Sequence, residues 1–141
     1  MRITYLIFSV LVWVSVVSAR TMTFKDVMAE SAALRKNIAL AKTVELKKEE
    51  LRKWETTLQA TLKSYEDENP KEGNSEEDLV GKYFISLEPI FDLTKGSITK
   101  ESCKKATHQI ELEDRDNTKK DPSILSDEAK EALAVLKLFC N

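Results

Sequence analysis

The chain has 141 residues, 22 Lys and Arg against 24 Asp and Glu, one His and two Cys. Its net charge of −2 offers no basic surplus for nucleic acid or an anionic membrane, and one histidine with two widely spaced thiols lacks the ligand set of a zinc site. Gly and Pro number three each, all beyond Glu68, while Lys, Glu, Leu and Ala dominate, which is a helical composition.

Residues 1–19 read as a secretory signal peptide: one positive charge at Arg2, an apolar run from Ile3 to Val17, and Val17 and Ala19 at the small-residue positions of a cleavage site. The competing reading, a membrane anchor, needs about 20 apolar residues, and this run is shorter and diluted by Ser9, Ser15 and Ser18. Cleavage leaves residues 20–141 as a single domain that is secreted, extracellular and not inserted in a membrane.

Thr23 and Asp26 form a capping-box pattern, with Met22 and Val27 at the positions of a hydrophobic staple, and neither Gly nor Pro occurs from Phe24 to Glu66. One long helix is expected over 24–66. Val27, Leu34, Ala41 and Leu62 fall on one seam position of a heptad, and Val44, Leu51, Leu58 and Tyr65 on the other, the inner stripe of a bundle helix. Such a helix spans roughly 65 Å at 1.5 Å per residue, whereas a compact domain of this size is about 35 Å across. It must therefore bend, most readily in the polar stretch Lys47 to Glu50, or project, or be covered by a partner. Trp54, Leu58, Leu62 and Tyr65 crowd its second half and are the candidate partner-binding residues.

A turn-rich linker over 67–75 precedes a helix expected at 76–95, with Leu79, Val80, Tyr83, Phe84 and Leu87 at helical spacing and Pro89 either kinking it or opening a short second piece. Thr99 caps a helix over 99–114 carrying Cys103, Ala106 and Ile110. Ser126 caps the last, 126–140, with Asp127 and Glu128 suited to its N-terminal dipole. Ala129, Leu133, Leu136, Phe139 and Cys140 share its buried stripe. In an exported chain two cysteines most simply pair, so Cys103 and Cys140 are expected to bridge within one chain rather than between chains. The fold class is thus all-α: a small extended bundle of about four helices with an unusually long first helix and one disulfide.

Chemistry is sparse. Asp114, Asp116 and Thr118 match the first ligand positions of a calcium loop, but Lys119 replaces the turn glycine and Leu125 the bidentate Glu. There is no nucleophile elbow, no glycine-rich phosphate loop and no N-glycosylation sequon. The sequence therefore points to a non-enzymatic protein, without cofactor or metal, that binds an extracellular protein. The alternative is a carrier of a small hydrophobic ligand, with Phe84, Leu87, Phe91, Leu136 and Phe139 as its wall.

Overall fold

A computed structural model describes residues 21–68, 75–118 and 124–141. The segment expected to be a signal peptide and most of the 67–75 linker lie outside the described residues. Five helices are present among those described: α1 Phe24–Leu40, α2 Val44–Glu68, α3 Ser75–Lys95, α4 Lys100–Thr118 and α5 Asp127–Lys137.

Helix α1 begins as its capping box dictates. The Thr23 hydroxyl accepts from the Asp26 amide at 3.2 Å, and the Asp26 carboxylate accepts from the Thr23 amide at 3.1 Å. The expected long helix is, however, two. Ala41 turns to an extended conformation (φ −66, ψ 128), and Thr43 starts α2, its hydroxyl accepting from Leu46 N at 3.2 Å and its carbonyl from Lys47 N at 3.1 Å. The break therefore falls at residues 41–43, before the Lys47–Glu50 stretch, which is helical. No Gly or Pro is needed, because an extended φ/ψ pair is open to any residue and Thr43 supplies acceptors for the freed amides.

The reason for the break is tertiary. Val27, Ser31, Leu34 and Ile38 of α1 and Leu51, Trp54, Leu58, Thr61 and Tyr65 of α2 are two buried stripes, which one straight helix would leave uncovered over much of its length. Folding back brings both onto the same core, and the two pieces, about 26 and 38 Å long, fit a compact domain. Val44, expected on the seam, is exposed instead.

Helix α3 runs unbroken through Pro89. Proline deprives the Ile85 carbonyl of its usual donor, but Leu87, Ile90, Phe91 and Leu93 around it are all buried and hold the helix in place. This most apolar helix packs against the other four. After a turn at 96–99, Thr99 and Ser102 cap α4 reciprocally, Ser102 N donating to the Thr99 hydroxyl at 3.1 Å and Thr99 N to Ser102 Oγ at 2.8 Å.

Helix α4 passes the expected end at Asp114 and continues to Thr118. Asp114 is buried and faces Ser126, whose amide donates to it at 3.0 Å, while Ser126 Oγ accepts from Ala129 N at 3.1 Å and starts α5. The carboxylate considered as a calcium ligand thus positions a helix cap. Helix α5 ends at Lys137, so Cys140 lies past the turn at 138–139 and not on the helix itself. The bridge between Cys103 and Cys140 is present, with Cα atoms 5.9 Å apart.

Successive helices run up and down. At one end Tyr65 donates to the Met22 carbonyl, the Thr21 hydroxyl to Glu68, and Phe24 N to Glu76 at 2.6 Å, joining the start of α1, the end of α2 and the start of α3. At the other, Lys47 Nζ donates to the Leu138 carbonyl at 2.9 Å and Lys48 Nζ to the Gly96 carbonyl at 3.5 Å, while the disulfide ties the start of α4 to the chain after α5.

Candidate functional site

Trp54, Leu58 and Tyr65 are buried, and Leu62 is half-buried. They are core, and the uncovered helix end that motivated them as a binding surface does not exist, because the chain reverses at 41–43. The carrier-wall residues are likewise packed: Leu87, Phe91, Leu136 and Phe139 are buried, and half-buried Phe84 stacks at a tilt on Phe91 with ring centroids 5.6 Å apart. Phe139 also borders a surface groove of about 580 Å³ beside the disulfide, along with Ile98, Lys100, Lys104 and Thr107. A second groove, about 340 Å³, lies between α1 and α2 and is lined by Met22, Asp26, Glu30, Trp54 and Thr57.

A polar chain crosses the core. Ser31 Oγ donates to Glu131 Oε1 at 3.0 Å, and the same oxygen accepts from Arg35 Nε at 2.7 Å. With its one proton committed to a carboxylate, Ser31 must accept from the Tyr83 hydroxyl, to which it is directly bonded. The Trp54 indole N–H meets no acceptor at hydrogen-bond geometry, though it lies close enough to Tyr83 to favour the phenolate. Burial outweighs these contacts and pushes the Tyr83 hydroxyl up to about 12 from 10.0. The neutral phenol is thus the folded form, and its contribution is complete below pH 10 and lost as pH rises toward 12. Between pH 10 and 12 the stability advantage of the parent chain over Tyr83→Phe should shrink by about 2 kcal/mol, as read from chemical denaturation at successive pH values. A pH-independent difference would refute the assignment. Ser31 and Tyr83 are fully buried, and the polar chain ties α1, α3 and α5 together.

The charged surface is organised differently. In an up-and-down bundle alternate connections share an end, and the four connections alternate in sign. Residues 36–48 carry four lysines and one glutamate, and 95–105 the same numbers. Among the described residues, 66–68 and 75–78 carry six acids and no base, and 111–118 and 124–128 six acids and one base. One end of the bundle is therefore basic and the other acidic.

Helix dipoles do not explain this polarity. Helices α3 and α5 obey the dipole rule, with acids in the first turn and Lys95 or Lys137 in the last. Helix α2 instead ends on Glu66, Asp67 and Glu68, with no base in its last turn, and α4 opens with Lys100, Lys104 and Lys105 close behind its cap. Charge follows the end of the molecule, not the direction of the helix. The acidic field is felt at Tyr65, whose hydroxyl is raised first by burial and then by Glu76, Glu68, Asp26 and Glu77.

The basic end also carries exposed apolar side chains. Leu40 is 80 % exposed, Val44 46 % and Leu46 52 %, three of the six large apolar side chains exposed among the described residues. The net charge of −2 concealed this end, since near neutrality on average does not mean neutrality everywhere. Reading the connections as alternately basic and acidic was the available signal.

Comparison with known proteins finds no matching family model, no matching curated protein and no matching solved structure.

Proposed function

We propose that this is a secreted, non-enzymatic protein that binds a negatively charged extracellular target through its basic end. The observation that carries the reading is the collection of nine lysines against two glutamates over residues 36–48, 95–105 and 137–141, around the exposed Leu40, Val44 and Leu46. Keeping like charges together opposes folding, and the fold does so at both ends, against the dipoles of α2 and α4. The disulfide, and the lack among the described residues of a helix long and apolar enough to cross a membrane, are compatible with export. The carrier reading is less favoured because four of its five wall residues are buried in the core and Phe84 packs against it.

Expression in a eukaryotic secretory host tests location: the protein should appear in the medium beginning at Arg20. Retention on immobilised heparin at neutral pH tests the surface. A chain with net charge −2 should nevertheless be held there and elute with salt. Lys42→Glu/Lys100→Glu/Lys104→Glu should flow through, whereas Glu66→Lys/Glu77→Lys at the opposite end should not lose retention. Equal behaviour of the two variants would defeat the proposal.

A further inference from the structure

The apolar side chains at the corner between α1 and α2 are exposed to solvent. Leu40 is the last residue of α1, and Val44 and Leu46 lie in the first turn of α2. Lys36 sits one helical turn before Leu40, on the same face, and Lys42 lies between the two helices. Lys36, Lys42, Lys100 and Lys104 are exposed and form no ion pair among the described residues. Lys47 and Lys48 behave otherwise, donating to the carbonyls of Leu138 and Gly96 and so fastening the corner to the C-terminal segment and to the α3–α4 turn. The corner is thus braced, with apolar groups at its apex and free ammonium groups around it.

Three kinds of anionic target could meet this surface, and they differ in what they offer the apex. A sulfated polysaccharide satisfies the lysines but leaves Leu40 in water. A stable protein interface buries about 800 Å² on each partner around an apolar centre, which three exposed side chains do not provide. A bilayer of anionic lipid offers phosphates to the lysines and an apolar layer just beneath to the apex, and lysine stems are long enough to lie along that boundary. Attraction then adds over the whole basic end, and the acidic end is turned away by the same field.

We infer that the basic end docks on the surface of an anionic phospholipid bilayer, with Leu40, Val44 and Leu46 entering the headgroup–acyl boundary and Lys36, Lys42, Lys100 and Lys104 meeting lipid phosphates. The bundle stands on its basic end and lies on the membrane without spanning it. This assignment rests on the proposed binding function and names its target.

The test is flotation of the secreted protein with phosphatidylcholine vesicles, with and without phosphatidylserine. Phosphatidylserine should raise the affinity at least about tenfold, reversibly with salt. Leu40→Ser/Leu46→Ser should lower it at least about a hundredfold, the removal of two buried side chains, while Lys36→Glu/Lys42→Glu/Lys100→Glu/Lys104→Glu should abolish the lipid preference. All six positions are exposed, so helix content and the disulfide, checked on each variant, should be unchanged. A tryptophan placed by Leu40→Trp should shift its emission to the blue with phosphatidylserine vesicles. Equal binding to both vesicle types, or serine variants that bind like the parent, would overturn lipid docking. Heparin retention without vesicle binding would overturn it too, yet leave the proposed function standing. Loss of both would remove both.

Discussion

Cys103→Ser/Cys140→Ser should lower the unfolding free energy by about 4 kcal/mol, because the bridge closes a loop across a sequence separation of 37 and thereby restricts the unfolded chain. Against the 5–15 kcal/mol typical of small domains, this is the difference between a robust fold and a marginal one. The loss should begin locally. Helix α5 retains Ala129, Ala132, Val135 and Leu136 in the core, but Leu138 to Asn141 follow the helix end, with Phe139 as their one buried side chain. Hydrogen exchange should therefore accelerate first in residues 138–141 and the last turn of α5. Denaturant midpoints with and without reductant measure the global effect. If reduction left stability unchanged, or if protection fell uniformly along the chain, the fastening role of the bridge would be wrong.

Trp54→Ala should cost about 3–5 kcal/mol, the range for removing a large aromatic side chain from a packed core. Trp54 is 6 % exposed and belongs to the central cluster with Leu51, Leu58 and Tyr83. Trp54→Phe makes the sharper contrast. It keeps an aromatic body and removes an indole N–H that is buried without an acceptor at bonding geometry, so its packing loss is partly offset and its cost should stay near 1 kcal/mol. Urea unfolding of the two variants separates them. Were Trp54→Ala to leave stability unaltered, Trp54 would have to be the surface residue that its place on an over-long helix had suggested.

The net charge and the distribution of charge over the surface carry different information. A net charge of −2 argued against anionic targets, yet such a sum holds only for a surface on which charges are mixed. Here the connections sort them, and the exposed Leu40, Val44 and Leu46 stand among lysines. The Trp54 to Tyr65 stripe packs in the core, and the binding surface we propose is the corner that buried it.

Local chemistry made some features legible from the residues. Thr23 with Asp26, Thr99 and Ser126 are caps whose partners lie three positions away, so each helix start is written within one turn of chain. Two cysteines allow one internal pairing, and it forms. The stripe of Val80, Tyr83, Leu87, Ile90 and Phe91 outweighs Pro89, and α3 stays whole.

Other features needed partners distant in sequence. Nothing within residues 41–43 compels a break; it follows from the gain of burying Ile38 and Leu51 on one core, which no local pattern expresses. Helix α4 outlasts its apolar stripe because Asp114 finds Ser126, twelve residues on. Ser31 and Tyr83, 52 apart, meet in the core. The charged ends have the same origin, since stretches 36–48 and 95–105 become one surface when five helices alternate in direction. Caps and cysteine pairing depend on a few neighbouring atoms or on a count, whereas breaks, burial and surface polarity depend on which stripes face each other after the chain has reversed.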